Sequence, residues 1–246
     1  MTRSTIVAEL GCRAGKRYYQ PMQSTNLKAF AGLVFLLLVM GALIFGSAWT
    51  LNYWQAWLFL AVFGGTALVV TLYLMINDPK LLERRTQAGP IAEAEPIQKI
   101  IQTITAIGFY AILVVSVLDH RFAWSPVPTF APILGETLII FGMVIIFFVF
   151  KQNSFASATI EIAPEQKVIS TGLYGIVRHP MYMGAFFYVV GLPLSLGSFW
   201  GLVVLALMMP ALMWRLFDEE KLLAKSLPGY VEYQAKVRHR LIPGMW

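Results

Sequence analysis

Long unbroken apolar runs decide what this chain can fold into. Residues 29–49 and 54–76 are two such runs, joined only by Thr50-Leu51-Asn52-Tyr53. A helix needs roughly 20 apolar residues to cross the hydrocarbon core of a bilayer, where only helices and closed barrels satisfy their own backbone groups. The pair therefore reads as a helical hairpin. Further runs cover 100–118 and 134–150. The block 181–217 is too long for one ordinary span, and Leu192-Pro193 with Leu196-Gly197-Ser198 divides it near Gly197. Its first half is short enough to tilt or to enter only part of the bilayer. The expectation is an all-α polytopic membrane protein of about six transmembrane helices, with both termini in the cytoplasm.

Charge placement supports that topology. Only 13% of the residues are charged, against about 25% in a soluble domain. Of the 19 lysines and arginines, all but Arg121 fall on the side that holds both termini. The positive-inside rule makes that side cytoplasmic. Trp49, Tyr53, Trp54, Trp57, Trp124 and Trp200 sit near span ends, as an aromatic belt does. The net charge of +6 thus suits loops lying on anionic headgroups, and no nucleic-acid motif accompanies it. Cys12 is the one cysteine, and His120, His179 and His239 are dispersed, so no metal site is expected. The first apolar run is too long for a signal-peptide core and lacks a small-residue cleavage site, so it reads as a retained span. The compact length and the lack of long tails suggest a bacterial inner membrane.

Three regions follow. Residues 1–28 form a cytoplasmic tail. Residues 29–132 hold three spans and the cytoplasmic loop 77–99, which carries Pro79, Pro90 and Pro96 among acids and bases. Residues 133–246 form a core with helices at about 133–151, 181–196 and 198–225, a loop 152–180 and an interfacial tail 226–246.

Two polar clusters flank the last apolar block. In the first, Thr171-Gly172 marks a turn, and Arg178-His179-Pro180 precedes a helix whose first turns carry Tyr182 and Gly184. Pro180 suits the first helical turn and keeps His179 extended. A helix N-terminus can hold a carboxylate or phosphate, and Gly184 allows close approach. An interfacial anchor built from Arg and Tyr explains the same residues without chemistry. The second cluster is Arg215-Leu216-Phe217-Asp218-Glu219-Glu220. On a helix Arg215 and Glu219 share a face, while Glu220 points away. A solvated helix end with a surface ion pair is the plain alternative. The tail beyond, with Gly229-Tyr230 and Pro243-Gly244, is amphipathic and basic, which suits an interfacial segment.

Taken in order, Arg178-His179-Pro180-x-Tyr182-x-Gly184, the apolar stretch, Arg215 with Glu219-Glu220, and then Gly229-Tyr230 resemble the isoprenylcysteine carboxyl methyltransferase family and its relatives, the membrane phospholipid methyltransferases. The resemblance covers roughly residues 150–246. It implies S-adenosylmethionine as methyl donor and a lipidic or hydrophobic acceptor, entering sideways between helices. It implies cofactor contacts from Arg178, His179 and Tyr182 in the motif, with Gly184 beside them. Val168 and Ile169 would lie near the adenine, and Gly172-Leu173-Tyr174 would wall the pocket. By the motif count the acid ligand is Glu220; by helix geometry Glu219 pairs with Arg215, and both are kept. Arg215 would lie near the transferring methyl, with Glu219 as its partner in the chemistry. A carboxylate acceptor would be held by Arg215; an amine acceptor would lose its proton to Glu219 or Glu220.

Two rivals remain. Sterol and steroid reductases share a similar Arg-His-Pro-x-Tyr-x-Gly pattern and use NADPH, but the pattern favours Asn and an acid where this chain has Met181 and Ala185. A non-catalytic membrane protein such as a transporter would carry ionisable residues within its spans, and here essentially only Glu136 qualifies.

Overall fold

The computed structural model describes residues 3–163, 165–244 and 246, with side chains from Ser24 onward. The side chains of the expected tail up to residue 23, Cys12 among them, lie outside the described residues. The order of elements is α1 (Arg3–Ala48), α2 (Trp54–Asn77), α3 (Pro79–Thr86), α4 (Pro96–Phe122), α5 (Ala131–Gln152), a 3₁₀ turn (Gly172–Gly175), α6 (Pro180–Ser195), α7 (Trp200–Ser226) and α8 (Tyr230–Lys236). No strand occurs among the described residues. The fold is all-α, as the apolar runs require.

Among the described residues, five helices are long and apolar enough to cross a membrane: α1 over Ser24–Ala48, α2, α4, α5 and α7. α6 is apolar but has 16 residues, about 24 Å at 1.5 Å per residue. It nevertheless joins the two ends of the bundle. At its start the His179 ring meets Glu220, near the end of α7. At its finish Ser198 donates to Asp119, at the end of α4, and Tyr53, just before α2, donates to the Leu196 carbonyl. Gly197, at φ +70°, closes the helix where the sequence placed the break. A left-handed residue there costs glycine nothing.

The two ends are built differently. At the far end, Asp119 accepts from the backbone amides of Phe199 and Trp200 at 3.1 and 3.2 Å. It thereby caps α7 from another helix, satisfying amides that a helix start leaves open. Arg121 lies at this end, donating to Ser47 O at 3.1 Å. The near end gathers α3, loops 87–95 and 153–179, and the C-terminal segment.

Between the ends, α5 and α6 pack backbone to backbone. A Cβ at Gly142 would lie 2.4 Å from Gly184 O, and one at Gly191 would lie 2.6 Å from Gly135 O. Lipid offers no hydrophobic drive between helices, so small residues that allow close packing supply the attraction. Large apolar side chains such as Leu38 and Leu207 stay exposed, facing where lipid tails would lie.

Gly142→Leu should lower the unfolding temperature in detergent markedly, since overpacking costs about 1–3 kcal/mol and the obstacle here is backbone. Gly46→Ala, with nothing within 4 Å of the new Cβ, should leave it unchanged. Tryptophan fluorescence during heating reads both.

Candidate functional site

Pro180 opens α6, and His179 sits just before it with φ −122°, extended as a residue before proline must be. The amides of Arg178 and His179 donate to His239 O and Arg240 O, each at 2.9 Å. The C-terminal segment is thereby strapped to the Arg178-His179-Pro180 motif. α8 adds Tyr230 and Tyr233, both buried against Leu227 and Val168. The tail expected at the membrane surface thus also packs against the loop that carries the motif.

At the centre of this end lies Glu220, 6% exposed. Its Oε1 takes Arg178 Nε at 2.7 Å and lies 3.2 Å from His179 Nε2, and its Oε2 takes Arg240 Nε at 2.9 Å. A buried carboxylate persists only when paired and hydrogen-bonded. Glu220 is engaged through both oxygens and ties α6, α7 and the tail together.

Glu219 is one residue earlier, about 100° around the helix, and it faces elsewhere. It accepts from the Tyr182 hydroxyl at 2.7 Å, and the Tyr182 ring stands edge-on to His179 with centroids 5.6 Å apart. Arg215 makes its ion pair with Glu93 of the 77–99 loop, at 2.7 Å, and not with Glu219. Its guanidinium also donates to Gln98 Oε1 and Ala158 O, each at 3.0 Å. The surface pair that helix spacing offered is therefore replaced by a buried, long-range one.

These groups surround a cavity of about 400 Å³, within the usual range for small-molecule sites. Of the residues singled out in the sequence, Val168, Ile169, Tyr174, Arg178, His179, Tyr182, Arg215 and Glu219 line it. Thr105, Ala185 and Leu212 extend it into the spans between α4, α6 and α7. Gly172, Leu173, Gly184 and Glu220 stand outside this wall. Gly172, at φ +60°, packs on Gln152, whose Oε1 accepts from the Leu173 amide at 3.0 Å. Leu173 packs into the apolar cluster around Leu81 and Val149. Gly184 packs against the α5 backbone, where a Cβ would lie 2.8 Å from Gly142 O. These residues position the wall without forming it. Tyr174 is held by Asn153, which donates to its hydroxyl at 2.8 Å, and by Tyr233, which donates to its carbonyl at 2.7 Å. Burial, opposed by the Asn153 hydrogen bond and aided by Glu219, pushes the Tyr174 phenol up to about 12, so it stays neutral.

Sequence reading missed Arg85, Glu93, Gln98 and Gln102. Arg85 and Gln102 line the cavity. Glu93 is 3% exposed and accepts from Gln102 Nε2 at 3.2 Å as well as from Arg215. The only signal was a proline-punctuated loop rich in charge, and its partners lie too far along the chain for local spacing to show them.

Residues 130–228 match the phospholipid methyltransferase family. The matched segment runs from the start of α5 past the end of α7, so it contains both motif clusters and leaves out Arg85, Glu93 and the 237–240 strap. The resemblance read from the motif order is borne out at this family level, and it supports a membrane methyltransferase. No curated protein matches the chain.

Glu220→Gln should destabilise strongly, because it leaves Arg178 and Arg240 without their counter-charge. Breaking such a buried pair costs about 3–5 kcal/mol, and a fall in unfolding temperature of at least about 5 °C is expected. Glu219→Gln should shift it far less. Parallel melts in one detergent compare them.

Proposed function

We propose that this chain methylates an amine-bearing lipid at the cytoplasmic face of its membrane, with S-adenosylmethionine as methyl donor. The observation that carries the reading is the division of labour between neighbouring acids. Glu220 is consumed by three basic side chains, while Glu219 faces the cavity and, among the described residues, takes its hydrogen bond from Tyr182 alone. The clustering of basic residues from Lys80 onward, all but Arg121, at the site's end of the bundle supports a cytoplasmic placement, and the bacterial inner membrane remains the expected one.

The residues present suit the donor. Val168, Ile169, Tyr230 and Tyr233 offer apolar and aromatic surface for adenine. Glu219 offers a negative charge to a sulfonium, and the His179 and Tyr182 rings narrow the space between. When bound, the donor supplies a methyl group on positively charged sulfur, which becomes a neutral thioether as the acceptor nitrogen bonds to the methyl carbon. The protein's share is orientation and exclusion of water. Glu219 is placed to receive the proton that an ammonium acceptor must lose before its lone pair can attack, and Tyr182 fixes the orientation of that carboxylate. Arg215, with Glu93, Gln98 and Ala158 already on its guanidinium, serves to hold loop, α4 and α7 in register. A carboxylate acceptor would have to compete with Glu93 for it, which favours an amine. Thr105, Ala185 and Leu212 give a lipid tail a route from the bilayer.

Calorimetry on the detergent-purified protein should show S-adenosylmethionine binding and no NADPH binding, with the former lost in His179→Ala. Glu219→Gln should reduce methyl transfer to phosphatidylethanolamine by about 10²–10⁴-fold while retaining the fold. Binding of NADPH alone would move the chain to the reductase reading.

A further inference from the structure

Three arginines line the cavity at this end of the bundle, and two of them have an acid. Arg178 and Arg240 share Glu220, and Arg215 has Glu93. Arg85, on α3, lines the same cavity, yet no carboxylate lies within 4.0 Å of it among the described residues. Its Nη1 donates to Ser157 O at 3.1 Å and lies 3.9 Å from Met181 Sδ, and its guanidinium stacks over Phe150 at 5.0 Å from the centroid. Glu161 and Glu219, the acids of the cavity wall, are engaged by the Ser157 hydroxyl at 3.0 Å and by Tyr182 at 2.7 Å. Burial, with Arg215 nearby, brings the Arg85 guanidinium down to about 10, so it is still a cation at neutral pH. Arg85 is half-buried, and a cation partly withdrawn from water without a counter-charge is costly. A protein that keeps one in the wall of a ligand cavity has left the counter-charge to the ligand.

We infer that Arg85 is the oxyanion anchor of this cavity, binding a carboxylate or phosphate of the molecule that occupies it. The inference rests on the methyltransferase reading for the identity of its ligands, and it assigns a binding residue outside the segment matched to the family. Two groups carry the required chemistry: the carboxylate at the amino-acid end of the methyl donor and the phosphodiester of a lipid acceptor. Arginine suits either, because its planar fork presents paired donors to two oxygens. The stacking on Phe150 and the Ser157 carbonyl fix the plane of that fork in advance. Neighbouring Arg84 is a built-in contrast. It too donates to a loop carbonyl, Ser154 O at 2.7 Å, and stacks on an aromatic ring, Phe155 at 5.0 Å, but it does not line the cavity.

The test compares wild type with Arg85→Met, Arg85→Lys and Arg84→Met, all purified in one detergent. One arm measures calorimetric affinity for S-adenosylhomocysteine, which keeps the carboxylate, and for 5′-methylthioadenosine, which lacks it. The other measures affinity for dihexanoyl phosphatidylethanolamine and for dihexanoylglycerol, which lacks the phosphate. Arg85→Met should weaken one of the two oxyanion ligands about tenfold or more, as loss of a charge-assisted bond does, and leave its counterpart unchanged. Arg85→Lys should recover part of the loss, and Arg84→Met should bind as wild type. The arm in which the loss falls tells whether the anchor serves the donor's carboxylate or the lipid's phosphate. The proposal is overturned if both oxyanion ligands bind Arg85→Met as they bind wild type. It is equally overturned if each ligand weakens in parallel with its counterpart, which is what a purely structural arginine would give. If wild type binds neither adenosyl compound, the methyl-donor reading fails on its own, and the lipid arm still decides the role of Arg85.

Discussion

The near end of the bundle depends on one buried carboxylate. Glu220 sits on α7, and the groups that satisfy it come from the start of α6 and from the C-terminal segment. Without that carboxylate, Arg178 would be a buried charge with no counter-charge, and the partly exposed Arg240 would lose its tie to α7. With it, they convert electrostatic need into geometry: the extended His179, the strap at His239 and Arg240, and the orientation of the imidazole all follow. Because Glu220 is spent on this task, its neighbour Glu219 is left to face the cavity.

A second ion pair does the same on the other flank. Glu93 and Arg215 join the loop between α3 and α4 to α7, and Gln98 extends the contact to Asp218 at 3.0 Å. The N-terminal helices are thus more than a generic anchor, since they supply Arg85, Glu93 and Gln102 to the environment of the site. A cavity walled by both halves, polar where α6 and α7 meet and apolar where it enters the spans, suits a reaction between a water-borne donor and a lipid-borne acceptor. Neither reactant need leave its own phase.

Much of this was legible in the sequence because the bilayer imposes strong rules. Span lengths, the break at Gly197 and the one-sided distribution of basic residues follow from hydrocarbon thickness and charge cost. The motif residues from Val168 to Tyr182 come together because one short loop and one helix start carry them. Other features were hidden for physical reasons. Glu219 and Glu220 are adjacent, and only the positions of Arg178, Arg240 and Tyr182 in space reveal which acid is buried in a clamp. Gly184 looked like room for a ligand, but room for the α5 backbone has the same signature, and its partner Gly142 lies on another helix. Arg215 pairs with Glu93 across the fold, which no helical spacing predicts. The brevity of α6 follows from the proline that opens it and the glycine that closes it, and both were visible.

The central claim is that a methyl group passes from S-adenosylmethionine to a lipid amine in this cavity. The most direct measurement incubates the protein, in nanodiscs containing phosphatidylethanolamine, with the donor labelled by deuterium on its methyl group, and reads the lipids by mass spectrometry. The account predicts the labelled methyl on the headgroup nitrogen, with Glu219→Gln strongly impaired. Label found on a carboxylate, or lipid methylation unaffected by Glu219→Gln, would contradict it.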